Sequence, residues 1–492
     1  MLAAGLAPAQ DQPDPGAREQ QEPTYESSSV LNRQDGFALY ARAAGAYEIN
    51  GFSVDAELPS VPTAPNAPES NAAGPAVLTQ GDGLSEETKG AMNAFGLYAQ
   101  IIGVYDSGLT APPSGQGKAV AMVASLGEEA DFGANAVHRW RRGRLSAEYR
   151  GSYRQYTNAP AFDGLDQFLQ VNYREALLRH LTLDVENTLG TTTLTNGTFS
   201  YFPLASLDRI GIPAAELFDT RTNYLQSRVD LTWRPTARLT FDFGGDGFVV
   251  RRASLLLAGL NGYNARASAA YRLTARQTIS ALYSNTYFGF QNTFGNSRLE
   301  TADLGYSVRL TREWELSTLG GGVRVNMLGL TQVALDPAIV ALIGEAYAIV
   351  TFTSVRYLPV AEVRLMRRLK AGSLIFDYSS TITPGNGLYL TSRQTSGAVH
   401  YSYIATRSLQ TRFNAGYNQL SALGQALGKY ANLQGGIQVL YRLTGGTYLD
   451  VRYDYRHYTT NYPIGDALLE NDSNRVSLGV AFSLGETSAV TW

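Results

Sequence analysis

The four histidines, at positions 138, 180, 400 and 457, have the widest chemical repertoire in this sequence, but their spacing makes no use of it. A metal site needs ligands at short helical or hairpin spacing, and no H-x-x-x-H pair or adjacent carboxylate partner occurs. There is no cysteine, which excludes disulfides, thiol catalysis, Cys-ligated zinc or iron–sulfur centres and covalent c-type haem on this chain. A serine nucleophile would need a hydrogen-bonded histidine, and no G-x-S-x-G turn presents one. Gly320-Gly-Gly322 is followed by neither Lys-Ser/Thr nor a helix, so it is not a phosphate loop. It reads instead as a β-bulge, because the apolar phase changes between Leu316 and Leu319. The sequence thus predicts no enzyme and no cofactor.

Charged residues do recur, at every second position. In Leu449–Arg456 the residues Asp450, Arg452, Asp454 and Arg456 alternate with Leu449, Val451, Tyr453 and Tyr455. In Arg475–Leu484 the apolar set is Val476, Leu478, Val480, Phe482 and Leu484, and Arg475, Ser477 and Ser483 are on the other side. A strand points successive side chains to opposite faces, so each such segment has one greasy and one polar surface. The same alternation places Arg150, Arg228, Asp230, Arg266, Arg272, Arg309, Arg324, Arg412 and His400 on polar faces. Charges on one wall of a water-filled lumen escape the penalty they would meet in lipid, so eleven residues are candidates for lining a pore: Arg150, Arg228, Asp230, Arg266, Arg272, Arg309, Arg412, Asp450, Arg452, Asp454 and Arg456. Opposite charges on neighbouring strands would also pair and stiffen the wall.

The elements that must position these residues are strands. Of the 492 residues 44% are hydrophobic and 17% charged, with 49 Gly and 30 Tyr, a balance that favours β structure over helix. Forty Lys+Arg against 43 Asp+Glu gives a field too weak for a nucleic-acid binder. Short connections near 141–144, 180, 234–237, 274–277, 311–313, 368–372, 406–408 and 444–446 alternate with longer ones at 157–164, 191–221, 251–262, 290–298, 326–347, 384–393, 422–430 and 460–472. Tight turns at one end of a sheet and extended loops at the other are the layout of a transmembrane, antiparallel, up-and-down β-barrel of the bacterial outer membrane. The count from a leading strand at 94–106 to a closing strand at 474–484 is about 18, in a range of roughly 16 to 20, because 118–140 reads either as one long strand or as two turning at Gly127–Asp131. Aromatics near strand ends, among them Trp140, Tyr153, Tyr156, Trp233, Tyr283, Trp314, Tyr403 and Tyr458, read as membrane-interface girdles.

Residues 1–9 resemble the tail of a secretory signal, with Ala7-Pro8-Ala9 as a small-x-small site. Residues 10–93 are rich in Pro, Gln and Ala and read as largely disordered, apart from a small hairpin at Gly36–Val54. Pro337–Val355 is apolar but carries Glu345 near its centre, which argues against a membrane helix. Asp336-Pro337 reads as the capped start of a short helix in a loop, and the two longest loops, at 191–221 and 326–347, read as lids or docking surfaces.

The runs Gly151-Ser-Tyr-Arg-Gln-Tyr156, Tyr401-Ser-Tyr403, Val451-Arg-Tyr-Asp-Tyr-Arg456 and Asn474-Arg-Val-Ser-Leu-Gly-Val480, with a terminal Trp492, resemble the outer-membrane β-barrel porins of bacteria. The resemblance covers residues 94–492 and departs in that Gly485–Thr491 separate the last strand from the terminal aromatic. It implies a passive conduit for hydrophilic solutes in the outer membrane of a Gram-negative bacterium. Through family members associated with polysaccharide export, it also implies an extruded polysaccharide. Outer-membrane lipid is the expected surrounding, with periplasmic or extracellular proteins as further partners. The alternative reading is a plugged barrel that serves as a scaffold or conduit sheath in an outer-membrane complex.

Overall fold

The structure, a computed structural model, describes residues 33–34 and 93–485, apart from 112–120, 193–220, 255–256, 335–346, 370, 407, 425–428, 444–446 and 465–466. Eighteen antiparallel strands form a closed barrel. In chain order they are β1 (Asn93–Ala111), β2 (Ala121–Trp140), β3 (Gly143–Tyr156), β4 (Gly164–Leu178), β5 (Leu181–Thr192) and β6 (Thr222–Trp233). The next six are β7 (Leu239–Arg252), β8 (Gly259–Thr274), β9 (Gln277–Gln291), β10 (Asn296–Arg309), β11 (Trp314–Ala334) and β12 (Tyr347–Leu369). The last are β13 (Gly372–Thr383), β14 (Ser392–Ile404), β15 (Leu409–Ala422), β16 (Lys429–Arg442), β17 (Thr447–Ile464) and β18 (Ala467–Gly485). Closure comes from β18 on β1, in register from Arg475 opposite Asp106 to Gly485 opposite Gly96. Arg33–Gln34 lies beside Gly262 and Tyr263 and is not part of this wall.

The alternation in the sequence becomes the two faces of the wall. Ile101, Leu304, Leu478, Phe413 and Tyr453 are exposed, while Gln100, Asp303, Ser477, Arg412 and Arg452 on the same strands are buried. A closed sheet that exposes an apolar belt and pairs its backbone internally is the β solution for crossing a bilayer. At the tight-turn end Arg367 stacks over Trp314, 5.3 Å from the ring, and Trp140 donates to Glu175 at 2.7 Å, so aromatics with polar tips mark that rim. Four of the turns there are built on a threonine. The hydroxyls of Thr236, Thr274, Thr311 and Thr406 accept backbone N–H groups two residues on, at 3.1–3.3 Å, pinning the reversal with a local side-chain bond.

Several expectations change. Residues 121–140 form one continuous strand with no turn at Gly127–Asp131, paired with β1 on one side and β3 on the other. The expected 460–472 loop shortens to 465–466, because β17 and β18 continue the ladder as far as Ile464 opposite Ala467. The loop expected at 326–347 begins only after Ala334. The Asp336 helix cap, most of the 191–221 loop, the 1–9 signal reading and the Gly36–Val54 hairpin lie outside the described residues.

Gly320–Gly322 is not a bulge. The register runs straight through it, with Gly320, Gly321 and Gly322 opposite Leu304, Asp303 and Ala302. What changes there is the polarity of the two faces. Leu316 points outward, whereas Leu319, Val323, Val325 and Met327 point inward and are buried. Arg324, expected inside, points outward beside Tyr357 and pairs with the outward Glu300 at 3.0 Å. Above the lipid belt the exterior is free to carry charge, so the pattern of apolar outside and charged inside reverses without any slip in register. Two expected girdle residues fail for a related reason. Tyr156 and Tyr458 share parity with Arg154 and Arg456 and are buried on the inner face.

Candidate functional site

The inner wall carries charge in paired clusters. On β2–β4 and β18, Glu129 accepts from Ser152 at 2.9 Å, from Arg154 at 3.3 Å and from Arg475 at 2.6 Å, while Arg154 also reaches Asp166 at 3.2 Å. On β6–β8, Asp230 pairs with both Arg228 and Arg266, and Arg266 extends to Asp246 at 3.5 Å. On β16–β17 and β1, Asp450 accepts from Gln438 and Gln100, each at 3.0 Å, and lies 3.4 Å from Arg452. Each cluster joins side chains from three or more strands, so it both neutralises buried charge and ties strands together.

Nine of the eleven candidates, namely Arg150, Arg228, Asp230, Arg266, Arg412, Asp450, Arg452, Asp454 and Arg456, are buried on this inner face. Arg150 is held by Glu148 and lies over Phe168 at 5.4 Å, and Arg456 lies over Tyr458 at 5.1 Å. Arg272 and Arg309 have the same parity but stand at the tight-turn rim, next to Thr274 and Leu310 where their strands end. They are not drawn into any of the three clusters. His400 points inward opposite Ile375 and Asn414.

The feature that sequence reasoning missed is the connection between β13 and β14. Pairing of β13 with β12 stops at Ser380 opposite Ala361, while its pairing with β14 continues to Thr383 opposite Ser392, and the connection that follows is buried inside the barrel. The connection at 384–391 is built to hold a tight reversal. The Thr383 hydroxyl accepts from Gly385 N at 2.8 Å, and the Asn386 side chain accepts from Tyr389 N at 3.0 Å and Leu388 N at 3.3 Å. Gly385 (φ +75°) and Gly387 (φ +91°) take the left-handed region, and a Cβ on Gly385 would fall on the Tyr389 carbonyl oxygen.

The tip of this connection is anchored to distant parts of the wall. Gly387 O accepts from Ala258 N at 2.9 Å, just before β8, and Arg252 at the end of β7 bonds Ala258 O at 2.5 Å. The Tyr389 hydroxyl donates to Thr460 on β17 at 3.2 Å. In an 18-strand ring β8 and β17 are nine strands apart, so the loop bridges opposite walls. Tyr389 packs with Leu257, Leu420, Tyr430 and Tyr458 in a buried cluster, with the Tyr430 ring 6.1 Å from Tyr389 and 6.0 Å from Tyr458. Its base is fixed as well, because Thr391 meets Ser297 of β10 at 2.5 Å and its carbonyl accepts from Leu423 N at 2.9 Å. The signal available in the sequence was Thr383-Pro-Gly-Asn-Gly387, which reads as an ordinary surface turn.

Above the charged clusters part of the inner wall is apolar. Phe168, Tyr224, Phe248, Val250, Leu260, Phe288, Val325 and Met327 form one connected buried cluster. The lumen therefore carries ion-paired clusters on its wall and, toward the loops, an apolar patch beside buried polar groups such as Arg252, Ser297 and Thr460.

No family model matches the sequence, and no curated protein does. Among solved structures, it is similar to OccK2 (OpdF) of Pseudomonas aeruginosa, with 12% identity over 80% of this chain and 98% of that one and a TM-score of 0.41. It is similar to OccK5 (OpdH) of the same organism, with 11% identity over 80% and 98% and a TM-score of 0.40. OccAB3 of Acinetobacter baumannii shows 9% identity over 79% and 99% with a TM-score of 0.38. The strand pairing of this chain establishes its barrel independently of those likenesses.

Proposed function

We propose that this chain is a channel of the bacterial outer membrane that passes small hydrophilic solutes, with the 384–391 connection as its constriction. The observation that carries the reading is the bridging of β8 and β17 by that connection. A segment fixed across a lumen narrows it whatever the diameter of the barrel. The buried charges at Arg150, Arg228, Asp230, Arg266, Arg412, Asp450, Arg452, Asp454 and Arg456 supply a polar wall along which a hydrated solute exchanges water for fixed dipoles. Arg272 and Arg309 form part of the exit rim. A polysaccharide strand needs an unobstructed passage, so the cross-bridge favours small solutes over a polymer.

One observation favours the second reading, a plugged barrel acting as a scaffold or sheath. Many inner-face side chains are nearly solvent-free, with Gln100 at 1%, Asp106 at 0% and Thr286 at 0% exposure. Barrels of this strand number commonly enclose water. Single-channel recording in planar bilayers separates the readings. Discrete ion conductance that rises when 385–390 is replaced by a two-residue link supports the channel. Absence of conductance in both folded proteins refutes it and leaves the plugged barrel.

A further inference from the structure

Trp233 ends β6 and Trp314 begins β11, so both mark the tight-turn rim on the outer face. Followed up the strands from these two rings, the exterior is first apolar and then basic. Leu225 and Val229 on β6 and Phe243 on β7 are exposed to lipid. Arg221 lies twelve residues from Trp233, and Arg251 is opposite Asn223, ten residues from it. Arg324 lies ten residues from Trp314, and Arg298 is opposite Asn326, twelve residues from it. A strand with a rise of ~3.4 Å and a tilt of ~40° climbs roughly 26–31 Å over ten to twelve residues, against an apolar band of about 25 Å. All four guanidiniums therefore stand just past the outer edge of the band, at headgroup height.

The four belong to one stretch of wall. Arg221 and Arg251 are exposed and lie diagonally on neighbouring strands, which are tied there by Ala253 N donating to Arg221 O at 2.8 Å. Neither arginine has an ion-pair partner among the described residues. Arg298 and Arg324 share Glu300, at 3.6 and 3.0 Å, so one carboxylate answers two guanidiniums. Between the two pairs, Tyr263 of β8 and Tyr287 of β9 lie opposite each other with ring centroids 5.7 Å apart, and Tyr287 is opposite Arg298. Four arginines against one glutamate leave an excess of three positive charges at this edge. On the far side of the ring the same height carries acids. Glu128 is twelve residues from Trp140 on β2, Asp472 is ten from Phe482 on β18, and both are exposed.

We propose that the outer face of β6–β11 is a docking surface for a phosphate-bearing lipid of the outer leaflet. Its phosphates pair with Arg221 and Arg251 and with Arg298 and Arg324, and its acyl chains lie on Leu225, Val229 and Phe243 below. A guanidinium presents its N–H donors in a planar fork that matches phosphate oxygens two at a time. Basic side chains beside a membrane surface are drawn to anionic headgroups, and tyrosine rings settle at the same level. The surface depends on which face of the barrel meets lipid and not on what the lumen does, so it stands or falls separately from the channel reading.

The test titrates bisphosphorylated lipid A, and the same lipid with its phosphates removed, into the full chain in detergent and counts bound lipid by native mass spectrometry. The expected result is binding of the phosphorylated form at least tenfold tighter than the dephosphorylated one. Arg221→Gln with Arg251→Gln, and separately Arg298→Gln with Arg324→Gln, should each weaken it at least fivefold with heat-modifiable gel mobility retained. Glu128→Gln with Asp472→Asn changes the net charge by the same amount elsewhere on the rim and should leave binding within twofold. Inorganic phosphate at matched ionic strength should not displace the lipid, because it lacks the acyl contacts. Equal binding of the two lipids, or unchanged binding in either folded arginine variant, overturns the proposal. So does an equally large change on neutralising Glu128 and Asp472, which would reduce the effect to bulk charge, or displacement by phosphate, which would make this a site for free anions.

Discussion

Gln100 and Ile101 are consecutive on β1, yet the fold places one in the lumen and the other in lipid, so a single substitution moved by one residue tests the facing of the whole barrel. Ile101 is 68% exposed and lies opposite Val480 and Ala130, near the middle of the apolar belt. Gln100 is 1% exposed, donates to Asp450 at 3.0 Å and lies opposite Asp131. Ile101→Arg places a guanidinium on the lipid face at a cost of ~2–4 kcal/mol near the bilayer midplane. At about 1.4 kcal/mol per decade this is roughly a 30- to 700-fold shift toward the unfolded state. Gln100→Arg places the same group between two carboxylates and keeps a donor toward Asp450, so the typical ~1–3 kcal/mol of overpacking a filled space is offset by the new pairing. Urea titration of the refolded barrels in lipid vesicles, read by heat-modifiable gel mobility, gives both numbers. Equal penalties at 100 and 101, or a larger one at 100, would refute the assignment of faces.

Three further outcomes follow from the same geometry. Gly385→Val cannot hold φ +75° beside the Tyr389 carbonyl, so the connection should leave its seat and single-channel conductance should rise toward that of the 385–390 replacement. Glu129→Gln leaves Arg154 and Arg475 without their shared carboxylate and should cost ~3–5 kcal/mol in the same urea titration, although the volume of the side chain is unchanged. Arg452→Glu combined with Arg456→Glu turns two inward cations into anions on one strand, at a cost in stability because a carboxylate at position 452 would face buried Asp450. In the fraction that keeps folded gel mobility, the reversal potential in a salt gradient should move toward cation selectivity. An unmoved potential would place these side chains off the conducting path.

Much of this barrel is legible in the sequence because each strand in the membrane solves one problem in one way. Between Leu449 and Arg456 lipid requires every odd position to be apolar and the lumen permits every even one to be charged, so pattern and register are the same information. Strand number follows from the turns, since Thr236, Thr274, Thr311 and Thr406 mark reversals by local chemistry that needs no tertiary context. That logic ends where the lipid ends. On β11 the inward set becomes Val323, Val325 and Met327 and the outward set includes Arg324, so a rule calibrated on the belt reads a change of solvent as a change of register and invents a bulge at Gly320–Gly322.

The inward connection was illegible for a different reason. Thr383-Pro-Gly-Asn-Gly387 specifies a tight reversal completely, and the structure uses each residue as its type suggests, but a reversal has the same local chemistry whether it points to solvent or into a lumen. Its direction is set by partners far away in sequence: Ala258 and Arg252 before β8, Ser297 on β10, and Thr460 with Tyr430 and Tyr458 on the opposite wall. None of those residues announces the contact alone, and two of them, Tyr458 on β17 and Tyr430 on β16, look like ordinary aromatics near strand ends. The parity of Tyr458 with Arg456 was the available clue. An aromatic on the charged face of a strand needs something apolar inside the barrel to pack against, and here that something is Tyr389 at the tip of the connection.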